Sequence, residues 1–250
     1  MITNVNGLNI YYEKSGTKGK KVLLLHGWGQ NTSMMSFIAE SLKKHFIVYN
    51  IDFPGFGQSD EPKVAWDTND YTEFIHDFCL KNKIKNPIII AHSFGCRIAV
   101  RYAYKYSAHK MCLTGAAGIR DKRTIKWYFK TYSYKLGKKI LSLKPFEKYR
   151  EKFESKVGSD DYKNTSGVMK KTFVKVVNED TTPLLKDIEC ETLLVFGEND
   201  KATPVTKGQL MEKLMPNAAL VVFENDDHFA YFNEAIRFVN VLDAFLRSDY

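Results

Sequence analysis

The chain has 250 residues, of which 44% are hydrophobic and 26% charged, and its formal net charge is +8. These values are typical of a globular protein with a sizeable core and exclude an intrinsically disordered chain. The sequence has no run of about 18 apolar residues that could span a bilayer, and its first residues do not resemble a signal peptide. We therefore expect a cytoplasmic protein without a membrane partner.

Apolar runs alternate with amphipathic segments over most of the chain. The first residues predict a hairpin that turns at Asn6 and Gly7. Later apolar runs predict buried strands: KVLLLHG, FIVYNID, PIIIAHS, KMCLTGA, TLLVFGE and ALVVFEN. Between several of them lie helical patterns: SFIAESLKKH, YTEFIHDFCLKN and FNEAIRFVNVLDAFLRS. Strands that are apolar throughout and separated by helices predict an α/β fold, a mostly parallel open sheet with helices on both faces.

The alternation is interrupted between KMCLTGA and TLLVFGE. Residues 119–188 show no strong strand pattern, but they include helical patterns rich in Lys, Tyr and Phe, such as RTIKWYFKTYSYKLGKKIL and TSGVMKKTFVKVV. A segment of this length is too long for a bare loop. We expect residues 119–188, the inserted region, to form a helical cap over one end of a core made of residues 1–118 and 189–250.

The positive charge is concentrated in the same part of the chain. From Ile119 to Cys190 there are 18 Lys and Arg against 10 Asp and Glu, which leaves 19 against 19 elsewhere. No nucleic-acid-binding motif accompanies this charge, so we expect no nucleic-acid partner. A solvated helical surface is the first interpretation, and a field that attracts anionic substrates or an acidic partner is the second.

Cysteine and histidine positions give no support for a metal site. The four cysteines lie far apart, in or beside apolar segments, and form no Cys-x-x-Cys pair. The six histidines also lack the spacing of metal ligands. We therefore interpret the cysteines as buried small residues and expect no metal.

Candidate reactive residues follow predicted strands, where ligands bind in an open α/β sheet. Ser93 stands between PIIIAH and a helical pattern, and the small residues Ala91 and Gly95 predict a turn so tight that the backbone on its two sides comes close. His26 and Gly27 follow KVLLL, Asp200 follows TLLVF, and His228 follows ALVVF. Taken singly, the serine or the acid could cap a helix and each histidine could be structural.

Taken together, these stretches resemble motifs of the α/β-hydrolase fold superfamily. AHSFG is similar to the G-x-S-x-G nucleophile elbow, with Ala91 in place of the first glycine. FGENDKATP is similar to G-x-x-D-x-x-x-P, and DFPGFGQSDEP resembles a further turn of the superfamily, which we interpret as scaffold. The chain order Ser93, Asp200, His228 is that of the superfamily's nucleophile, acid and base, and the resemblance covers the whole chain.

The resemblance implies a hydrolase that transfers an acyl group through Ser93, with His228 as base and Asp200 as the residue that orients it. Backbone N–H groups of Trp28 and Phe94 would form the oxyanion hole, no cofactor is implied, and His26 would stabilise the loop by hydrogen bonding. Asp200 is preferred over three nearby acids for its position in the motif: Glu198, Asp226 and Asp227.

The substrate is less defined by the sequence. We expect Trp28, Phe94 and Phe229 to contact it, together with Trp127 and other aromatic residues of the inserted region, although packing explains each of the latter equally well. A small ester is the first choice of substrate. The alternatives are carbon-carbon bond hydrolysis, peptidase action on small peptides, perhydrolase or lyase chemistry, and a ligand-binding or signalling module with little turnover. The architecture also resembles that of carrier-protein methyl esterases, and the basic region makes an acidic carrier protein a conceivable partner.

Overall fold

In the computed structural model, which describes residues 1–120, 132–133 and 160–250, the strands form one sheet of eight. They are β1 (Ile2–Val5), β2 (Leu8–Ser15), β3 (Lys21–Leu25), β4 (Ile47–Ile51), β5 (Ile88–His92), β6 (Lys110–Thr114), β7 (Glu191–Gly197) and β8 (Ala218–Phe223). Their order across the sheet is β1-β2-β4-β3-β5-β6-β7-β8. The pairs β1–β2 and β2–β4 are antiparallel, and β3 to β8 run parallel to one another, as predicted.

The α-helices of the described residues lie between or after these strands. They are α1 (Ser36–Leu42), α2 (Thr68–Lys81), α3 (Phe94–Tyr106), α4 (Asp160–Lys163), α5 (Gly167–Val177), α6 (Val205–Leu214), α7 (Ala230–Asn233) and α8 (Ala235–Leu246). The C-terminal pattern, predicted as one helix, is divided between α7 and α8, because the backbone leaves helical geometry at Glu234 (φ −103°, ψ 45°). No helix of the described ranges is long and apolar enough to cross a membrane.

Alternating side chains of the parallel strands bury on opposite faces of the sheet. On β3, for example, Leu23 and Leu25 join one cluster with residues of α2, α3 and α6, while Val22 and Leu24 join another with residues of α1 and α8. Because both faces are covered, every residue of a strand can be apolar without being exposed, which explains why these strands read as continuous apolar runs.

The hairpin prediction at the N-terminus is confirmed. Val5 pairs with Leu8, and the two turn residues between them, Asn6 and Gly7, have φ of 51° and 84°. Positive φ at both central positions matches the right-handed twist of a two-residue hairpin and is well tolerated by asparagine and glycine.

Helix α5 confirms the helical pattern TSGVMKKTFVKVV and lies on the loop that follows β4. Met169 packs where Gly55 has no side chain, Thr172 Oγ1 accepts a hydrogen bond from the Trp66 N–H at 3.1 Å, and Lys175 Nζ donates to the Ala65 carbonyl at 2.6 Å. The earlier pattern RTIKWYFKTYSYKLGKKIL lies outside the described residues except for Tyr132 and Ser133, which have helical backbone.

Candidate active site

The carboxyl ends of β3 to β8 meet at one edge of the sheet, and the candidate residues lie there. Ser93 stands between β5 and α3 with φ 48° and ψ −105°, a backbone conformation that is unfavourable for a residue with a side chain. Its N–H donates to the Thr114 carbonyl at 3.0 Å, and its own carbonyl accepts from the Cys96 N–H at 3.1 Å. These bonds hold the strained turn between β5 and β6 and the first turn of α3.

The small residue at position 95 is required by a neighbouring strand. A Cβ added to Gly95 would overlap the carbonyl oxygen of Leu25, at the end of β3, and would lie 2.9 Å from the His26 carbonyl oxygen. The atoms nearest to such a Cβ therefore belong to the end of β3. The sequence had instead predicted that the close approach would be to the backbone at Ala91. Helix α3 begins so close to β3 that a larger residue would push the two apart.

His228 lies between Ser93 and Asp200. Its Nε2 is 2.9 Å from Ser93 Oγ, and its Nδ1 is 2.7 Å from Asp200 Oδ2. Because a carboxylate only accepts, Nδ1 carries the proton in the neutral ring, and Nε2 is then free to accept from the serine hydroxyl. The structure thus brings these three predicted residues together in one hydrogen-bonded chain.

The Asp200 carboxylate is buried and fully engaged. Oδ1 accepts from the N–H groups of Ala202 and Thr203, both at 2.8 Å, and Oδ2 accepts from Thr203 Oγ1 at 2.6 Å as well as from His228. Burial raises the pKa of Asp200, but the bonds from His228 and Thr203 outweigh it, so the pKa is below its ordinary value. Asp200 is therefore an anion at neutral pH.

The three competing acids have other partners. Glu198 accepts from the Asn225 N–H at 2.9 Å, Asp226 from the Asn233 amide at 2.8 Å, and Asp227 from the Phe229 N–H at 2.8 Å. None of their carboxylates hydrogen-bonds to His228 in the described part of the chain. Their bonds instead shape the loop between β8 and α7 that carries the histidine.

Buried His26 fixes the loop after β3, as predicted. Its Nε2 accepts from the Phe53 N–H at 3.0 Å, so its Nδ1 carries the proton and donates to the Gly27 carbonyl at 2.7 Å. Burial lowers the pKa of His26 to about 4, so the ring is neutral at pH 7. The Gly27 carbonyl and the Trp28 N–H belong to one planar peptide unit and point in opposite directions, so the bond from His26 is one constraint on the direction of that N–H.

The N–H groups of Trp28 and Phe94 have no hydrogen-bond acceptor among the residues that the structure describes. Phe94 is the first residue of α3, where the helix leaves its N–H groups unpaired. The aromatic rings of the two residues touch edge to face at 5.3 Å. Both N–H groups are therefore available to a ligand at the carboxyl edge of the sheet.

A second buried histidine lies beneath His228. The ring of His92 is 4.8 Å from that of His228, and its Nδ1 donates to the Thr114 carbonyl at 3.2 Å. Burial, with a smaller contribution from His228, lowers the pKa of His92 to about 3. His92 is therefore neutral over the working pH range, and no feature of the sequence pattern had pointed to this packing role.

Sequence reasoning also missed Gly115 and Thr203. Gly115 follows β6 with φ 51°, and a Cβ on it would lie 3.0 Å from His228 Nδ1. Thr203 donates to Asp200 and lies 3.3 Å from His228 Nδ1. Gly115 in KMCLTGA and Thr203 in FGENDKATP each stand a few residues after a strand, which was the only available signal.

A cavity of about 530 Å³ opens beside the candidate site. Its lining combines apolar and polar residues: Trp28, Gly29, Gln30, Gly55, Phe56, Glu61, Asp161, Asn164, Thr165, Ser166, Met169 and Phe229. Trp28 and Phe229 thus lie where substrate contacts were predicted. The Phe94 ring is buried under Trp28 and does not line the cavity, and Trp127 lies outside the described residues.

Features elsewhere in the described chain do not compete with this site. Cys79, Cys96 and Cys112 are buried free thiols, as expected, and Cys190 is half-buried. Within the described ranges there is no group of three or more His, Cys, Asp or Glu that could hold a metal ion. A second cavity, of about 450 Å³, lies at the amino ends of β6 and β7, far from Ser93 along both strands.

Comparisons with known proteins agree with this architecture. The chain is 27% identical over 288 residues to a proline iminopeptidase of Saccharolobus solfataricus, covering 98% of this chain and 91% of the relative. It is 26% identical over 263 residues to a pimeloyl-[acyl-carrier protein] methyl ester esterase of Aliivibrio fischeri, covering 95% and 97%.

The fold is also that of solved hydrolases. A meta-cleavage product hydrolase from Pseudomonas fluorescens superposes with a TM-score of 0.75 at 20% identity, covering 100% of this chain and 98% of that one. The sequence pattern that defines the alpha/beta hydrolase family matches residues 22–241. The chain therefore belongs to the alpha/beta hydrolase family and is a hydrolase.

Proposed function

We propose that the chain is a serine hydrolase that cleaves a small ester by acyl transfer. The observation that carries this proposal is the hydrogen-bonded chain from Ser93 Oγ through His228 to Asp200, with bonds of 2.9 and 2.7 Å. A serine hydroxyl is a weak nucleophile on its own, and a neighbouring base within hydrogen-bond distance activates it. The buried, anionic Asp200 holds the base in the tautomer that can accept the proton.

In the first step, Ser93 Oγ attacks the ester carbonyl while His228 Nε2 accepts the hydroxyl proton. The imidazolium that forms is stabilised by Asp200. His228 then returns the proton to the departing alcohol, which leaves the acyl group on Ser93. In the second step, His228 takes a proton from water, the resulting hydroxide attacks the acyl carbon, and the acid is released as Ser93 regains its proton.

The carbonyl oxygen becomes negatively charged in each tetrahedral intermediate. We assign the N–H groups of Trp28 and Phe94 to this oxygen, because both lack other acceptors in the described chain and both adjoin Ser93's edge of the sheet. Donors that are already oriented stabilise the charge without reorganising, and one such donor contributes about 10²- to 10³-fold to turnover.

The acyl or alcohol part of the substrate would occupy the 530 Å³ cavity. Its size suits a small molecule, and its apolar lining residues suit a hydrocarbon or aromatic group: Trp28, Phe56, Met169 and Phe229. Met169 belongs to α5, so the inserted region contributes to the cavity wall. This contact supports the proposal that residues 119–188 form a cap over a core of residues 1–118 and 189–250.

A peptidase for small peptides is the second candidate, and the 27% identity to a proline iminopeptidase favours it. The same nucleophile, base and oxyanion donors can cleave an amide, so the triad cannot distinguish the two functions. A panel that pairs p-nitrophenyl esters of increasing chain length with proline and alanine p-nitroanilides separates them by kcat/KM.

The test of the proposed chemistry is labelling with a fluorophosphonate probe, followed by hydrolysis of a p-nitrophenyl ester by Ser93→Ala. We expect Ser93 to be labelled and the variant to be folded but inactive. Ser107→Ala is the matched control, since this serine ends the same helix with a comparable φ of 65° but lies at its other end. Full activity in folded Ser93→Ala, or no labelling of the wild type, would exclude the proposal.

As a further proposal, the partner is an acidic carrier protein. Two observations support it: one relative is named as an esterase of an acyl-carrier protein ester, and the excess positive charge lies between Ile119 and Cys190. A solvated surface is our first interpretation of that charge. It predicts equal salt responses of kcat/KM for a carboxylate-bearing and a neutral ester. A fall for the charged ester alone, as the Debye length drops from about 30 to about 10 Å, would instead favour electrostatic attraction.

A further inference from the structure

The side chain of Trp28 connects the proposed oxyanion hole to the inserted region. The centroid of its indole lies 5.0 Å from that of the Phe173 ring of α5, with the ring planes at 62°. Its Nε1 donates a long hydrogen bond of 3.5 Å to Thr165 Oγ1. On the core side the same indole touches Phe56 at 4.8 Å and Phe94 at 5.3 Å. One side chain thus lies between the core and the inserted region.

The glycines on either side of Trp28 place few steric limits on its backbone conformation. Trp28 stands between Gly27 and Gly29, and Gly29 has φ 70° with no atom near its missing Cβ. Glycine offers more backbone conformations than any other residue, so this loop needs constraints from elsewhere. The hydrogen bonds of the Gly27 carbonyl, from His26 at 2.7 Å and from the Gln30 N–H at 3.3 Å, constrain one side of the Gly27–Trp28 peptide.

The indole supplies the constraint on the other side. Rotation of the peptide about the glycine bonds would move the Trp28 Cα and swing the indole, so rings packed around the indole resist that rotation. Phe56 and Phe94 contact it from the core, and Phe173 contacts it from α5. Phe173 is itself buried, and the centroid of its ring lies 6.3 Å from that of Tyr162 of α4, so packing constrains its position.

We propose that Phe173 is a positioning residue for the Trp28 N–H, so that the inserted region acts on turnover and not on substrate binding alone. The inference rests on the proposed function, because it assigns the Trp28 N–H to the oxyanion. Phe173 acts through the indole and does not touch the reacting atoms. While Phe173 of α5 packs against the indole, the Trp28 N–H is held where the oxyanion's negative charge develops. Loss of this contact gives the Gly27–Trp28 peptide more freedom to rotate.

The experiment compares Phe173→Ala with Val177→Ala, a control one helical turn further along α5 whose side chain is 42% exposed. The variants are assayed for kcat and KM with a neutral p-nitrophenyl ester, and the fraction of active protein is counted by fluorophosphonate labelling. Affinity is measured for a trifluoromethyl ketone, which forms a tetrahedral adduct with a serine, and for the matching amide, which does not.

We expect Phe173→Ala to lower kcat by about tenfold and to lower the affinity for the trifluoromethyl ketone by a similar factor. An interaction made only with the tetrahedral state affects kcat and this affinity equally. The amide should bind within about twofold of the wild type, and Val177→Ala should match the wild type in every measurement. Phe173→Leu, which keeps most of the volume, should recover part of kcat and serves if Phe173→Ala does not fold.

Two results would overturn the inference while leaving the proposed function intact. One is an unchanged kcat in folded Phe173→Ala, or in Phe173→Leu if Phe173→Ala does not fold. The other is a loss in KM and amide affinity with no change in trifluoromethyl ketone affinity relative to the amide, which would make Phe173 part of the substrate pocket only. If the wild type is not labelled by the fluorophosphonate, the proposed function fails and the inference fails with it.

Discussion

The Gly115→Ala substitution tests how tightly the position of His228 is fixed. A Cβ at this residue would lie 3.0 Å from His228 Nδ1, 3.1 Å from its Cε1 and 3.1 Å from its carbonyl oxygen. Distances of this size are a few tenths of an ångström too short for comfortable contact. The imidazole therefore has to move away from Gly115, and its bonds of 2.7 Å to Asp200 and 2.9 Å to Ser93 cannot both be kept.

The expected losses of stability and of kcat in Gly115→Ala follow from two separate effects. Alanine at φ 51° costs about 1–2 kcal/mol of folding stability, because its Cβ approaches the following carbonyl in left-handed backbone. A displacement of a catalytic group by about 1 Å costs about 10²-fold in rate, so a shift of a few tenths of an ångström predicts a loss of about tenfold in kcat. KM should change little, since the cavity lining does not include His228.

The assay is steady-state ester hydrolysis together with urea unfolding, and Gly7→Ala is the matched control. Gly7 has φ 84° in the β1–β2 turn and no atom within 4 Å of a Cβ, so its substitution strains the backbone without touching the site. We expect both variants to lose similar stability and only Gly115→Ala to lose turnover. Equal kcat in the two variants would refute the view that His228 is held this tightly.

Three further predictions follow from the surroundings of the triad. Asp200→Asn should lower kcat by about 10⁴-fold and Asp226→Asn by less than about tenfold; the reverse order would show that the acid that orients His228 lies in the loop after β8 and not in the loop after β7. Thr203→Val should lower kcat by about tenfold and Thr203→Ser should not, since the hydroxyl is the part of the side chain that bonds Asp200 and serine keeps it; equal loss in both would make the residue a packing element. His26 should contribute a fall of about 3 kcal/mol in the free energy of unfolding from pH 6.5 to 4, because the unfolded chain protonates it there and the folded chain, in which its pKa is about 4, largely does not. His92, with a pKa of about 3, contributes in the same direction. Urea titrations should therefore show a weaker pH dependence of stability in His26→Asn, and an unchanged pH dependence would contradict the assignment.

The sequence alone was sufficient for the fold. Apolar runs such as IIIAH and TLLVF bury on both faces of a sheet, and that requirement is already visible in the order of residues along the chain. Strand-exit positions follow directly from it, because parallel strands place all their carboxyl ends at one edge. Ser93, Asp200 and His228 lie at such positions, and the resemblance of their motifs and chain order to those of the superfamily singled them out before any distance between them was known.

The sequence pattern was less informative where a residue's role depends on partners from distant parts of the chain. Gly115 faces a histidine 113 positions later, His92 lies beneath the same ring, and Phe173 reaches a tryptophan near the N-terminus. Each has an ordinary local explanation as a turn glycine, a strand end or a helix-face aromatic. Nothing in its immediate neighbours distinguishes the role from the ordinary explanation.

The division between the two sources of information has a physical reason. Hydrophobic periodicity and turn chemistry act over a few residues, so the sequence by itself determined the strands, most of the helices and the edge of the sheet where chemistry is to be sought. The choice of hydrogen-bond partner acts between residues that meet only after folding. Tertiary structure alone decided that Thr203 donates to Asp200, that a Cβ on Gly95 would collide with β3, and that the indole of Trp28 packs against α5.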